Sequence, residues 1–467
     1  MDDTLLFKPI RELAAMLRRR EVSPVELAEL SLRRLETVGP KLNAVVRTLR
    51  DHALLEAREA ERQLARGEVH GLLHGIPYGV KDLLATRGIP TTWGAAPYRN
   101  QVFDYDATVV ERLRAAGAVL VAKLSMVELA GGMGYDHADA AFNGPGLNPW
   151  NPSFWAGGSS SGPGAAVAAG LVPFAIGSET SGSILTPSAF CGVTGLRPTY
   201  GRVSRHGAMA LSWTLDKLGP MARTADDSAL VLAAISGRDR RDETALDQAF
   251  TYTEKPPFAR RPRLAVPKGC VEGAQPEVRA AFEAAMAVLG KSCDVARDVE
   301  WPDLPWSPAV STIVAAEGTA AFIDLIESGR VRELRCASDH VNPYSKVMTP
   351  AVDYLQAMRA RKPMKRAMAV LFERYDAVVT PTRATVAYPA DVPFAQVYPD
   401  VKSGPATIAA GNLCGLPALA VPIGFGANAL PVSMAFLGAP LAERVLVELG
   451  KTWQSATDWH TKRPPAA

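Results

Sequence analysis

Residues 157–184 read GGSSSGPGAAVAAGLVPFAIGSETSGSI. The first half is a loop of small residues running into a helix-like stretch at 165–169. Its clustered glycines permit positive φ and close backbone approach. Its serines meet a helix N-terminus, where N–H groups point outward without intrahelical partners. Taken alone, this loop also reads as a phosphate-binding loop or a flexible linker, although it lacks the GxxxxGKS or GxxxxGKT pattern of a nucleotide site. The second half is a short apolar strand at 172–176 ending in the turn Gly177-Ser178-Glu179-Thr180-Ser181-Gly182-Ser183-Ile184, which presents Ser183. Successive backbone N–H groups in such a turn converge on an anion, as an oxyanion hole requires. The blander alternative is a hydroxyl-rich turn that satisfies its own backbone.

The texture on either side matches. Short apolar runs at 76–80, 118–122, 264–266 and 377–379 alternate with helical patterns such as 109–116 and with Gly/Pro turns. Strand and helix alternating in this way argue for an α/β fold with a mostly parallel sheet covered on both faces. Before residue 70 the chain reads as helices. Ser23-Pro24-Val25-Glu26 is a capping box with proline at the first helical position, and 51–66 is a second amphipathic helix, so the two are expected to pack as a hairpin on the main body. Residues 131–225 are dense in small residues and poor in charge, the composition of backbone folded tightly around something; 226–260 is polar and reads as a surface excursion. No linker separates independent units and no 20–50-residue repeat occurs, so residues 1–467 are expected to form a single domain.

The totals exclude several classes. With 51 Lys plus Arg against 48 Asp plus Glu, the net charge of +3 makes no electrostatic case for nucleic acid or an anionic membrane. The N-terminal MDDTLLFKPI has neither a basic n-region nor an apolar h-region, so no secretory leader is expected. The apolar stretch 164–177 is too short to span a bilayer. Five cysteines at 191, 270, 293, 336 and 414 show no CxxC spacing and read as buried reduced thiols of a cytoplasmic protein. Seven scattered histidines form no HExxH or HxxxH pattern, so neither a metal nor an organic cofactor is expected.

One further segment carries chemistry. In Gly75-Ile76-Pro77-Tyr78-Gly79-Val80-Lys81-Asp82 an apolar strand delivers a lysine at its end. By itself this is most simply a surface lysine after a strand. If it is buried, desolvation lowers its pKa and it acts as a base.

Taken together, these segments resemble the amidase-signature family, and the resemblance covers nearly the whole chain. It is densest from Asn148 to Pro220: Asn148-Pro149-Trp150, the GGSS loop, the ETSGSI turn, Cys191-Gly192-Val193-Thr194-Gly195-Leu196-Arg197-Pro198-Thr199-Tyr200-Gly201-Arg202, and Leu215-Asp216-Lys217-Leu218-Gly219-Pro220. Thr380-Pro381-Thr382 and Gly415-Leu416-Pro417-Ala418 continue it. The resemblance implies one α/β domain, a mixed sheet of about ten or eleven strands wrapped by helices, with the signature core at about 75–225. It implies Ser183 as nucleophile, Ser159 (held by a cis peptide in relatives) as proton relay and Lys81 as base. Backbone N–H groups of Thr180, Ser181, Gly182 and Ser183 would form the oxyanion hole. Gly131, Gly132, Met133 and Tyr135 match the family segment that passes the substrate's acyl group. His137 reads as structural.

The chain departs from the family at the nucleophile. Relatives commonly read DTGGSIR where this chain has Glu179, Ser181 and Leu185. Ser161 replaces a usual glycine and Pro163 a usual serine. Because the nucleophile survives, these changes read as retuned specificity. The expected activity is hydrolysis of a carbon–nitrogen acyl bond in a small-molecule amide, aryl amide or carbamate (urethane), with a homodimer as the expected assembly and neither nucleic acid nor membrane as partner. The alternative is the glutaminase-type component of a tRNA-dependent amidotransferase, which works with partner subunits. Against it, the C-terminal region carries no obvious carboxylate-and-arginine set for glutamine. A scaffold with a dead site is disfavoured by the intact Lys81, Ser159 and Ser183. Trp301, Trp306, Phe322 and Tyr344 read equally as an apolar entry funnel or as core.

Overall fold

A computed structural model describes residues 3–253 and 255–465; Met1 and Asp2 of the N-terminal segment read above lie outside them. Eleven strands form one sheet in the order Val45–Thr48, Val119–Leu124, Pro77–Lys81, Phe174–Glu179, Lys217–Ala222, Thr194–Arg197, Ala418–Phe425, Pro431–Leu437, Ala377–Pro381, Arg263–Pro267 and Asp294–Val299. The mixed α/β sheet expected from the family resemblance is present. The mostly parallel pairing suggested by the strand–helix alternation is not: six of the ten neighbouring pairs are antiparallel and four are parallel. The reason is local. Strands Ala418–Phe425 and Pro431–Leu437 are joined by a short connection, which permits only antiparallel pairing.

The capping box at Ser23 forms as expected, with Ser23 Oγ accepting from the Glu26 amide and Glu26 Oε2 accepting from the Ser23 amide. The helices Pro24–Thr37 and Arg50–Ala65 pack on each other and on the strand Val119–Leu124. Residues 225–235, expected within a polar surface excursion, instead form the helix Ala225–Ile235. Thr224 caps it by accepting from the Asp227 amide at 3.0 Å, and Ala229, Val231, Leu232 and Ile235 turn its apolar face into the core. All five cysteines are buried and free. Trp306 and Phe322 are core residues, Trp301 packs on Trp306, and Tyr344 is exposed. Among the described residues no helix is long and apolar enough to cross a membrane.

Two features position the site. Strands Pro77–Lys81 and Phe174–Glu179 run parallel, with Val80 opposite Ile176, so both deliver their C-terminal residues to one edge of the sheet, where ligand crevices of α/β folds lie. The helix Ser161–Ala168 is wholly buried beside them. It approaches the Ser125 backbone so closely that a Cβ on Gly162 would lie 2.3 Å from the Ser125 nitrogen; only glycine fits, and the Gly162 amide donates to the Ser125 carbonyl at 2.9 Å. This contact fixes where the preceding serine loop sits.

Candidate active site

Lys81 ends its strand fully buried. Its Nζ donates to Ser159 Oγ at 2.7 Å and to Ser178 Oγ at 2.9 Å. Burial pushes the amine down from the ordinary lysine value of 10.5 to about 7, against the opposing pull of the Asp216 and Glu179 carboxylates. The surface-lysine alternative therefore falls. Ser159 is also fully buried and follows a cis Gly158–Ser159 peptide. The Ser160 amide donates to the Ser183 carbonyl at 3.3 Å, tying the serine loop to the nucleophile turn. The hydrogen bonds stop at Ser159: among the described residues none joins its hydroxyl to that of Ser183.

The turn after Phe174–Glu179 is built around Glu179. Its Oε2 accepts from the Ile184 and Leu185 amides at 2.9 and 3.0 Å, and its Oε1 accepts from Arg197 Nη1 at 2.7 Å and from Asn412 Nδ2 at 2.8 Å. Burial alone would raise this carboxyl, but the Arg197 guanidinium outweighs it and holds the group down to about 2. Glu179 thus consumes the first amides of the helix Leu185–Cys191. The preceding amides, of Thr180, Ser181, Gly182 and Ser183, donate to no protein acceptor among the described residues. Gly182 has φ +93°, a conformation that suits glycine and bends the turn so that these amides point one way. Thr180 is braced by its hydroxyl, which donates to Asp216 Oδ1 at 2.6 Å.

The departures from the family pattern acquire physical partners. Leu185 is buried in an apolar cluster with Leu413, Leu416 and Ile313, a setting in which an arginine would lack a partner. The charge that Glu179 needs comes instead from Arg197 on the strand Thr194–Arg197. Pro163 sits within the first turn of its helix, as expected.

Two cavities flank the turn. One, of about 330 Å³, is lined by Ser178, Thr180, Asp216, Arg205, His206 and Trp213 among others. The other, of about 300 Å³, touches Ser181 and is closed by Thr380, Thr382, Arg383, Thr407 and Ile408. Of the 130–135 run, Ala130 lines the first cavity. Gly131 lies against the Tyr135 ring, and Gly132 against Leu211 and Phe322. Met133 is buried, with its carbonyl accepting from Lys346 Nζ at 2.6 Å. Tyr135 packs on Trp155 and Phe394. His137 Nδ1 accepts from the Asp139 amide at 3.1 Å, a structural bond. Among the described residues no cluster of His, Cys, Asp or Glu is arranged to hold a metal ion.

Sequence reasoning missed Ser178 and Arg197 as parts of the site. Both lie inside quoted motifs, but each is recognisable only from strand register: Ser178 shares an edge with Lys81, and Arg197 reaches Glu179 across the sheet.

The family model for amidases matches residues 26–447. The chain belongs to the amidase (amidase-signature) family. It is 38% identical over 493 residues, 98% of either chain, to the glutaminase-type component of the glutamyl-tRNA(Gln) amidotransferase of Methylococcus capsulatus. Among solved structures it superposes on the native peptide amidase of Stenotrophomonas maltophilia with a TM-score of 0.85 and 30% identity, covering 98% of both chains. A bacterial aryl acylamidase of the amidase-signature enzymes shares the fold at a TM-score of 0.86, with 24% identity and 97% of both chains covered. The amidase chain is accordingly an enzyme fold acting on carbon–nitrogen bonds.

Proposed function

We propose that this amidase hydrolyses a carbon–nitrogen acyl bond of a small molecule, an amide, aryl amide or carbamate, through an acyl-enzyme on Ser183. The observation that carries the reading is the buried Lys81 amine, held near neutrality and 2.7 Å from the Ser159 hydroxyl. A serine hydroxyl is a weak nucleophile until its proton is removed. Neutral Lys81 takes the Ser159 proton as Ser159 takes that of Ser183, a relay that a hydroxyl can run because it both donates and accepts. Ser183 Oγ bonds to the carbonyl carbon, and the oxyanion rests on the free amides of Thr180, Ser181, Gly182 and Ser183. Loss of one such donor typically costs about 2.7–4 kcal/mol of transition-state stabilisation. The proton held by Lys81 returns through Ser159 to the leaving nitrogen, the C–N bond breaks, and the amine departs. Water then gives its proton to the same relay, attacks the ester and releases the acid with Ser183 restored. No metal or cofactor takes part.

A second reading is the glutaminase-type component of a tRNA-dependent amidotransferase. The curated relative named above favours it at 38% identity, and it brings partner subunits and tRNA in place of the expected lone enzyme. The cavity beside Ser181 weighs the other way: among the described residues none that lines it is acidic, so the α-ammonium of glutamine finds no carboxylate there. The test is turnover of a primary amide, an anilide, an aryl carbamate and glutamine by wild type and Ser183→Ala. Turnover of a small amide that vanishes in the variant supports the first reading. Glutamine hydrolysis appearing only with partner subunits supports the second, and equal rates in both proteins remove Ser183 from the mechanism.

A further inference from the structure

The cavity beside the nucleophile turn has a chemical bias that the acyl-transfer steps do not use. Among the described residues, Arg383 is the only charged one that lines it. The segment that carries it leaves the strand Ala377–Pro381, so its backbone is anchored by the sheet. Its guanidinium is half-buried and is oriented by a single bond, Nη2 donating to the Tyr388 hydroxyl at 2.8 Å. Among the described residues it makes no other hydrogen bond and no ion pair. The remaining N–H groups therefore face the cavity side by side, the fork that matches a carboxylate. Hydroxyls of Thr380 and Thr407, 3.2 Å apart, add neutral donors to the same wall. The volume of about 300 Å³ stands at the small end of ligand pockets, which run from about 300 to 1,000 Å³.

We propose that Arg383 anchors a substrate carboxylate, which makes the preferred substrate a short dicarboxylic acid monoamide without an ammonium group. The proposal rests on the reading of Ser183 as nucleophile, because Ser181 of the nucleophile turn lines the same cavity. It also accounts for a site that departs from glutamine: the anion has a partner, while an ammonium has only Arg383 and hydroxyls near it.

The experiment compares glutaramate, its carboxylate-free counterpart pentanamide, and glutamine, in wild type, Arg383→Gln and Arg383→Lys. Wild type is expected to favour glutaramate over pentanamide by about 10- to 100-fold in kcat/KM, carried mainly by KM, as a charge-assisted hydrogen-bond pair supplies. Glutamine falls below glutaramate. Arg383→Gln collapses the glutaramate-to-pentanamide ratio toward one, and Arg383→Lys keeps part of it, since lysine holds the charge without the fork. Calorimetric binding of glutarate, present in wild type and lost in Arg383→Gln, reads the same site without turnover. A ratio near one in wild type, a ratio that survives Arg383→Gln, glutamine preferred over glutaramate, or no glutarate binding overturns the proposal. Hydrolysis that persists in Ser183→Ala strikes the nucleophile reading instead, whereas Ser183-dependent hydrolysis with no anion preference sinks Arg383 alone.

Discussion

Acidification should switch this enzyme off through Lys81, and removing one neighbouring hydroxyl should move the switch. Burial brings the amine from 10.5 to about 7, a gap of ~5 kcal/mol in favour of the neutral form relative to water. The relay needs that neutral form, so kcat/KM should be level in mild alkali and fall about tenfold for each pH unit below about 7. Stability follows the same direction. Between about 7 and 10.5 the unfolded chain holds a proton on Lys81 that the folded chain lacks, so the contribution of this group to stability rises as pH rises through that window. Ser178→Ala sharpens the test. Its hydroxyl accepts from Nζ at 2.9 Å, and such a bond is stronger to an ammonium, about 1.5–3 kcal/mol, than to a neutral amine, about 0.5–1.5 kcal/mol. Losing it removes ~1 kcal/mol of support for the charged form, which lowers the inflection by up to about one pH unit. The assay is kcat/KM for one neutral amide from pH 5 to 9 in both proteins. A wild-type profile that stays flat down to pH 5, or an inflection that rises in Ser178→Ala, refutes Lys81 as the base.

Other changes act on the turn that holds the nucleophile. Ser183→Ala should lower kcat by at least about 10⁴-fold while leaving the urea midpoint nearly unchanged, because its side chain supports no bond among the described residues. Arg197→Ala strands the Glu179 carboxylate in the interior and should cost about 3–5 kcal/mol of stability by urea unfolding; a loss below about 1 kcal/mol, the size of an exposed pair, would mean that the pair is not buried as described. Gly182→Ala forces a side chain into φ +93° with its Cβ 3.2 Å from Thr186 Oγ1, so kcat should drop by about 10²-fold, the scale of one lost oxyanion donor, with a smaller change in KM. Normal kcat in that variant would take the turn's amides out of oxyanion binding.

Much of the fold was readable in the order of residues. The apolar runs at 76–80, 118–122, 172–176, 264–266 and 377–379 all fall within or against strands, because a strand buried on both faces needs a continuous apolar run that survives as a local pattern. The capping box at Ser23 was readable for the same reason: its partners are three residues apart. Strand direction was not, since whether neighbours run parallel depends on which strands meet, and a segment such as Ala418–Phe425 pairs with Thr194–Arg197 more than 200 residues earlier. The helix Ala225–Ile235 was hidden by the acidic residues of its first turn, which read as solvent-facing although Asp227 is buried, accepting from the Ile10 amide.

At the site the division is similar. The motifs around Lys81, Ser159 and Ser183 determined which chemical groups are available, and the small residues around them determined that backbone could fold tightly there; these are properties of residue type and near spacing. Only the tertiary structure decided that Lys81 is dry, that Ser178 is its second partner, that Arg197 and not residue 185 answers Glu179, and that Arg383 faces a cavity without an acid. Each of those depends on what surrounds a charge. Desolvation and Coulomb pairing are set by distances across the sheet between residues far apart in the chain, and no local pattern encodes them.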